Sequence, residues 1–162
     1  AKLDHYTEVF QENARFLSSA LAEIPGVEPP AEPEGYEHVY YNYAVRFQPQ
    51  QLGLEMDAKT FREKVSEALN AEGVQVSQWW NIALPDMVLF QNKDGYGKGC
   101  PWACPHTRPE VTYENLDLPE TRRWLKEYAL VRHLHAPNDL EVIKAYVSAF
   151  EKVFANLDAV LD

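Results

Sequence analysis

The stretch YGKGCPWACPH, residues 96–106, concentrates side chains that could do chemistry. It contains both cysteines of the chain, Cys100 and Cys104, and His106 follows two residues later. Two thiols and one imidazole within seven residues offer ligands for a metal such as zinc, or a thiol pair for redox chemistry. The glycines and prolines of the same stretch are equally typical of a bent loop.

Ligand count and spacing favour the loop. A closed zinc site usually takes four ligands from two separated pairs, and the sequence has no second cysteine pair. A redox pair is usually Cys-x-x-Cys at a helix start, whereas here three residues separate the thiols, and Pro101 and Pro105 disfavour a helix. We therefore expect a loop without metal, with a zinc site completed by a distant ligand and a catalytic dithiol as the alternatives.

Other residues could also bind a ligand. Trp79 and Trp80 are adjacent in a predicted strand and would point to opposite faces, one into the core and the other free to stack on a sugar or cofactor ring. His133 and His135 could be paired metal ligands, but without a third partner surface or core histidines are the favoured interpretation. The adjacent arginines 122 and 123 could clamp a phosphate, but a solvated helix face is favoured.

Composition excludes several classes of partner. The 162-residue chain is 46% hydrophobic and 25% charged, as expected of one globular domain. Its formal charge of −10 and pI near 4.9 disfavour nucleic acid and anionic membranes, because phosphate binding depends on clustered Lys and Arg. No apolar run approaches the ~20 residues of a membrane span, and residues 1–10 lack the apolar core of a signal peptide. We expect a cytoplasmic protein with reduced thiols.

Hydrophobic periodicity predicts the main elements. Residues 3–24 read as an amphipathic helix that Pro25 and Gly26 stop, with a stripe of apolar residues: Leu3, Tyr6, Phe10, Ala14, Leu17, Leu21 and Ile24. Residues 38–47, HVYYNYAVRF, alternate as a strand with Val39, Tyr41, Tyr43, Val45 and Phe47 on one face. The stretch VQVSQWWNIAL, residues 74–84, reads as a second strand closed by Leu84 and Pro85. A short strand is predicted within LVRHLH, residues 130–135.

Capping signals delimit the remaining helices. Asp57 can cap a helix that Gly73 ends, and Pro119 occupies a favoured first helical position. Asn138 and Glu141 have capping-box spacing at the start of a long final helix. The order of helices and strands predicts a small α/β fold, an α+β sandwich in which helices cover a mainly antiparallel sheet. The first helix starts almost at residue 1 with neither Met nor a cap, which suggests a piece of a longer protein; removal of a short leader is the alternative.

The ordered set of segments resembles a known family. IPGVEPP after a leading helix, EHVYYNYAVRF, FREKVSEALNAEGVQVSQWWNIALPDMVLF and LHAPNDLEVIKAYVSAFEKV are similar to the carboxy-terminal part of the DegT/StrS sugar aminotransferases. The resemblance covers nearly the whole chain. It differs where the family usually has a Tyr-Pro-x-Pro-Leu-His segment: the matching stretch here is WNIALP, with Trp80 in the aromatic place and Asn81 and Ala83 in the proline places.

The resemblance implies a fold, a cofactor and partners. It implies residues 1–34 as linker helix and proline-rich connector, and 35–162 as the small domain of a homodimeric aminotransferase. Pyridoxal phosphate would be held by a preceding large domain, which would carry the Schiff-base lysine, so this chain alone is expected to bind no cofactor and to contain no catalytic residue. The substrate would be a keto-sugar or nucleotide-sugar, contacted by a set of side chains: Trp80, Asn81, Tyr96, Trp102 and His106.

A second class of function fits the same residues. The chain could be a free-standing acidic module that binds a small molecule or a protein through its aromatic loop. The first helix discriminates between the two: its apolar stripe should be partly exposed in a piece of a larger enzyme and fully covered in an independent module.

Overall fold

The computed structural model describes residues 2–108 and 110–162, which form two compact units. The first, here called the sheet unit, comprises residues up to Trp79 together with Lys126–Asp162. The second, here called the loop unit, comprises Trp80–Leu125. The predicted sites on the aromatic loop therefore belong to a separate unit from the sheet.

Helices and strands are mixed along the chain. The helices are α1 Lys2–Leu21, α2 Ala58–Ala71, α3 Val88–Gln91, α4 Pro119–Glu127, α5 Leu140–Ala155 and α6 Leu157–Leu161, with 3₁₀ turns at Pro49–Leu52 and Leu84–Asp86. The strands are β1 Val27–Glu28, β2 Tyr43–Phe47, β3 Val76–Ser77 and β4 Tyr128–Val131. They form one antiparallel sheet in the order β1-β2-β4-β3. The predicted small antiparallel α+β architecture is confirmed.

The register places one face of the sheet in the core. Tyr43 lies opposite Val131 and Val45 opposite Ala129, and these side chains are buried. Helices α1, α2 and α5 contribute these buried side chains to the core: Ala14, Leu17, Leu21, Phe61, Val65, Leu69, Ile143 and Phe150. The helices cover this face because their apolar stripes can leave water only there.

The first predicted strand is shorter than its pattern. The strand predicted over residues 38–47 begins only at Tyr43. The prediction for residues 38–42 was wrong, because Tyr40 has a left-handed backbone, with φ 52°, that an extended strand cannot contain. Tyr40 is thereby buried, whereas Val39 and Tyr41, predicted for the buried face, are exposed. The residues from Glu37 to Tyr41 are an irregular connector rather than strand.

The second predicted strand is also shorter. Only Val76 and Ser77 pair with β4. Leu84 and Pro85, predicted to close the strand, lie instead in a 3₁₀ turn. Trp79 and Trp80 therefore lie beyond the strand, and each is about half exposed, at 52% and 50%. The prediction that one of them is a core residue was wrong.

One predicted helix cap is confirmed and one is corrected. The Asp57 carboxylate accepts hydrogen bonds from the backbone of Lys59 and Thr60, 3.1 and 3.3 Å away. At α5 the cap is Asp139, one residue later than predicted. The Asn138 amide instead donates to the carbonyl of His133 at 2.6 Å, so it closes the turn before the helix.

Helix α1 is covered over only part of its length. The C-terminal half of its apolar stripe is fully buried and comprises Ala14, Leu17 and Leu21. Leu3 and Tyr6, in the first turns, are 74% and 49% exposed. Within the described residues, no helix has both the length and the apolar character needed to cross a membrane.

Candidate functional site

The five side chains predicted to contact a sugar all belong to the loop unit. Trp80 and Asn81 lie in an irregular segment before the 3₁₀ turn, and both are exposed. Tyr96 is 95% exposed and His106 is exposed, whereas Trp102 is half-buried. The four exposed side chains therefore present rings or polar groups to solvent, whereas part of the Trp102 ring packs against other residues.

The loop from residue 92 to 118 is folded by its own backbone. The Tyr96 amide donates to the Cys100 carbonyl at 2.9 Å, and the Ala103 amide donates to the Gly99 carbonyl at 2.7 Å. A Cβ atom at Gly95 would lie 1.7 Å from the Cys100 carbonyl oxygen, so only glycine permits this turn. The stretch forms the succession of tight turns that its glycines and prolines predict.

Trp102 forms an aromatic cluster with Phe90 and Tyr113. The Trp102 ring is perpendicular to Tyr113, with centroids 6.3 Å apart, and its Nε1 donates to the Tyr113 hydroxyl at 3.0 Å. Phe90 lies 5.2 Å from Tyr113 and 6.2 Å from Trp102. The sequence reasoning missed Phe90 and Tyr113, although aromatic residues within an otherwise irregular segment are a signal for a local core. The stacking role of Trp102 on a sugar stays a prediction.

The cysteines of the loop do not form a disulfide bond. Cys100 is exposed and Cys104 is half-buried, and both are free thiols. Across residues 2–108 and 110–162, no three or more His, Cys, Asp or Glu side chains are placed to hold one metal ion. Within the described part of the loop, the two thiols are therefore not joined to each other and belong to no cluster of three candidate metal ligands.

The remaining candidates have structural partners. The Arg132 guanidinium lies 5.9 Å from the ring centroid of Trp79 and its Nε donates to Ser77 at 2.9 Å. Arg122 forms an ion pair with Asp86 that lowers the pKa of that carboxyl, chiefly through the hydrogen bond. Arg123 pairs with Glu120. The two adjacent arginines are each engaged by a carboxylate, as expected of a helix face.

His133 and His135 contact each other in the segment before α5. Their ring centroids are 5.8 Å apart, and His133 Nε2 contacts the Gln75 side-chain oxygen. His135 Nδ1 lies 2.8 Å from the Ala136 carbonyl. Both are exposed, as the favoured interpretation predicts.

The sheet unit contains a groove that the sequence reasoning missed. This connector groove has a volume of about 410 Å³ and is lined by residues of one short segment: Ala31, Glu32, Pro33, Tyr36, Glu37, His38 and Val39. Tyr36 and Val39 expose 77% and 54% of their surface. The proline-rich connector has no periodicity, so its sequence indicated only a linker.

Glu32 is the most strongly held carboxylate of the groove. It accepts two hydrogen bonds from Arg15, at 2.8 and 2.9 Å, one from the His38 amide at 3.0 Å and one from the Tyr40 hydroxyl at 3.2 Å. The hydrogen bond from Arg15, followed by that from His38, lowers the pKa of the Glu32 carboxyl to about 2. Glu32 therefore stays ionised and fixes the connector against α1.

Gln11 and Tyr40 fix the other polar groups of the groove. Gln11, buried in α1, donates to the Glu37 carboxylate at 2.9 Å and to the His38 carbonyl at 3.0 Å. The His38 ring stacks on Tyr40 at 4.2 Å, and its Nδ1 accepts the Tyr40 amide hydrogen at 2.7 Å. In the neutral ring Nε2 then carries the hydrogen and is a donor. Carboxylate and imidazole are thus both positioned by bonds to α1 and the connector.

A second, more polar cavity lies between α2 and β3. It has a volume of about 370 Å³ and is lined by Arg62, Glu63, Ser66, Glu67, Asn70, Val76, Ser77, Gln78 and Ala129. Asn70 is occupied with the strand, donating to the Val76 carbonyl and accepting from its amide, both at 3.0 Å. The buried Arg62 donates to Glu63 at 3.0 Å. This cavity lies where the chain turns from α2 into β3, and its polar side chains mostly bond to neighbouring residues of the protein.

Comparison with solved structures identifies the fold. Comparisons with protein-family models and with curated proteins found no match. The chain superposes on an aminotransferase, TlmJ from Streptoalloteichus hindustanus, with a TM-score of 0.64 at 18% identity, covering 99% of this chain and 34% of that one. It also superposes on S. venezuelae DesV, solved in complex with a ketimine intermediate, with a TM-score of 0.59 at 18% identity over 92% of this chain.

The chain spans about a third of the length of each of these proteins. The expected fold is thereby confirmed: the chain shares the fold of about a third of each of these two proteins.

Proposed function

We propose that the chain is the carboxy-terminal small domain of a pyridoxal-phosphate aminotransferase that acts on a keto-sugar or nucleotide-sugar. The observation that carries this proposal is the fold shared with TlmJ over 99% of the chain. In this account the assembled enzyme is a cytoplasmic DegT/StrS aminotransferase, and residues 35–162 form the domain that completes its substrate pocket. Residues 1–34 are the linker helix and connector.

The chain's own lysines do not fit the cofactor. Such a lysine must lie in a desolvated pocket to form a Schiff base, and Lys59, Lys126, Lys144 and Lys152 instead pair with carboxylates on the surface. Lys64 and Lys93 donate to backbone carbonyls, and Lys2 and Lys98 are exposed. We therefore place the cofactor lysine outside this chain. When bound there, pyridoxal phosphate would carry the amino group between donor and sugar.

The loop unit is the proposed substrate side. The exposed rings of Trp80 and Tyr96 suit stacking on the apolar face of a sugar or on a nucleotide base. Asn81 and His106, also exposed, can exchange hydrogen bonds with sugar hydroxyls. Trp102 would support the loop from within its aromatic cluster and present its remaining surface to the substrate.

The exposed start of α1 supports an enzyme domain over an independent module. Leu3 and Tyr6 continue a buried stripe into solvent, as expected where a larger protein or a second subunit covers it. We propose that the assembled enzyme is a homodimer. The isolated chain should then associate as its concentration rises, which light scattering over a dilution series measures; a strict monomer that binds no hydrophobic dye would favour the independent module.

A truncation experiment tests the proposal. The full product of the reading frame that encodes this chain should bind pyridoxal phosphate and transfer an amino group to a keto-sugar. The same product ending before residue 1 should lose amino transfer, because the substrate pocket is incomplete. If the truncated protein transfers amino groups at the full rate, the chain has no part in that pocket and the proposal fails.

A further inference from the structure

The connector groove combines an open apolar wall with a negative charge. Ala31, Pro33 and Val39 provide the wall, and the Tyr36 ring stands 77% exposed beside it. A volume of about 410 Å³ accommodates a small organic molecule and exceeds what a bare ion needs. The shape therefore selects a ligand with a carbon skeleton.

The charges around the groove determine which sign of charge a ligand should carry. Glu32 and Glu37 line it, and Arg15 is committed to Glu32 through two hydrogen bonds. Glu37 is bonded to the neutral amide of Gln11, so one carboxylate charge is left over at the groove, and exposed Glu34 adds a second nearby. The whole chain is also acidic, with a formal charge of −10. Phosphates and other anions are repelled by this arrangement, and cations are attracted.

The groove is already organised for binding. Gln11 holds Glu37 and the His38 backbone together, and the stacking of His38 on Tyr40 fixes the imidazole. Groups held in this way lose little conformational entropy when a ligand arrives. An aromatic ring beside a carboxylate attracts organic cations through the negative face of the ring and through charge. A bare metal ion is a poorer fit, because across the described residues no three ligating side chains converge.

We propose that the connector groove binds a small organic ammonium ion, with its cationic nitrogen at Glu37 and its carbon skeleton against Tyr36 and Val39. This inference is independent of the proposed aminotransferase function. It involves only residues 31–40 and α1, so its test requires neither cofactor nor amino transfer.

A matched pair of probes separates charge from shape. Cyclohexylammonium and cyclohexanol have the same ring, and only the first is charged at neutral pH. Titration of the purified chain, followed by amide and side-chain NMR shifts, should give saturable shifts at residues 31–39 with cyclohexylammonium. Cyclohexanol should bind at least about fivefold more weakly, and added salt should weaken the cation but not the alcohol.

Three variants locate the interaction. Glu37→Gln keeps the shape and removes the charge, and should weaken cyclohexylammonium binding about three- to fivefold. Tyr36→Leu should weaken it about two- to fivefold, whereas Tyr36→Phe keeps the ring and should bind like the wild type. Glu151→Gln, which removes an exposed carboxylate on α5, is the matched control and should leave the affinity unchanged. Unchanged NMR spectra outside the groove establish that each variant is folded.

Two results would overturn the inference. Equal affinity for cyclohexanol and cyclohexylammonium would make the groove a neutral apolar site. Shifts spread over acidic surfaces outside residues 31–40 and α1, or equal binding by Glu37→Gln and Glu151→Gln, would mean that only the overall charge of the chain attracts the cation.

Discussion

Arg15 and Glu32 form a two-point ion pair that joins α1 to the connector. Arg15 Nε donates to one carboxylate oxygen at 2.9 Å and Nη2 to the other at 2.8 Å. The same carboxylate accepts from the His38 amide and the Tyr40 hydroxyl. Because Tyr40 is buried and Arg15 lies on α1, one carboxylate links the irregular connector to the core.

Replacing Glu32 should change how stability depends on pH. Its pKa is about 2 in the folded protein, below the ordinary value of 4.5, so its stabilising effect is complete above pH 4.5 and is lost as the pH falls towards 2. Glu32→Gln should lower the urea midpoint at pH 6 and flatten the fall of that midpoint between pH 4.5 and 3. Urea denaturation followed by circular dichroism at several pH values measures this.

Glu12→Gln is the matched control for Glu32, because Glu12 is an exposed carboxylate of α1. Its pH profile should follow that of the wild type. Identical profiles for Glu32→Gln and the wild type would mean that the ion pair contributes nothing to the fold.

Replacing Asn13 should lower the free energy of unfolding. It is buried in α1, and its amide donates to the carbonyls of Leu134, at 2.8 Å, and Asn138, at 3.0 Å. Asn13→Ala removes these donors, and the expected loss is about 1–3 kcal/mol of unfolding free energy. Glu12→Ala, next to it on the exposed side, should change stability by less than about 0.5 kcal/mol. Equal changes in the two variants would mean that the buried amide of Asn13 contributes nothing to stability.

The aromatic cluster should hold the loop unit together. Trp102→Ala removes a half-buried ring that contacts Phe90 and Tyr113, and we expect a loss of about 2 kcal/mol and faster proteolysis within residues 91–118. Tyr113→Phe removes only the hydroxyl bonded to Trp102 and should cost about 1 kcal/mol. If both variants are cleaved as slowly as the wild type, the cluster does not order the loop.

Tyr96 is the cleaner probe of substrate binding, because its ring is almost fully exposed. In the full-length protein, Tyr96→Ala should raise the KM for the keto-sugar about two- to tenfold and leave cofactor binding unchanged, since only a stacking contact is lost. Tyr41→Ala, which removes an exposed tyrosine of the sheet unit, is the control and should leave the KM unchanged. An unchanged KM for Tyr96→Ala would remove this residue from the proposed pocket.

The two thiols should be dispensable for folding. In Cys100→Ser/Cys104→Ser, the Tm should stay within about 2 °C of the wild type, because no metal-binding energy is lost with the free thiols. Metal analysis of the purified protein should find zinc well below one equivalent. One equivalent of zinc, together with unfolding by a chelator, would make the stretch a structural metal site.

Local signals in the sequence predicted the parts of the fold that depend on local physics. Asp57 caps α2 because its carboxylate reaches the backbone amides two and three residues further on, a contact that needs no tertiary information. Gly73 follows that helix with φ 91°, as expected of a residue that ends it. The strand β2 was recognised because its buried residues alternate.

The parts that were missed depend on contacts between distant residues. Asn13 bonds to a carbonyl 121 residues away, and Glu32 gains its partner from α1 across 17 residues. The left-handed backbone of Tyr40, which ends the alternation before β2, has no signature in the residue type. The connector groove depends on the bonds from Arg15 and Gln11 of α1, so its sequence indicated only a linker.

The position of the cofactor lysine tests the central claim most directly. The full-length product should be incubated with pyridoxal phosphate, reduced with borohydride, digested and mapped by mass spectrometry, with the isolated chain treated in parallel. The account predicts one stoichiometric adduct on a lysine outside these 162 residues and no specific adduct on the isolated chain. A stoichiometric adduct on any lysine between Lys2 and Lys152 would contradict it.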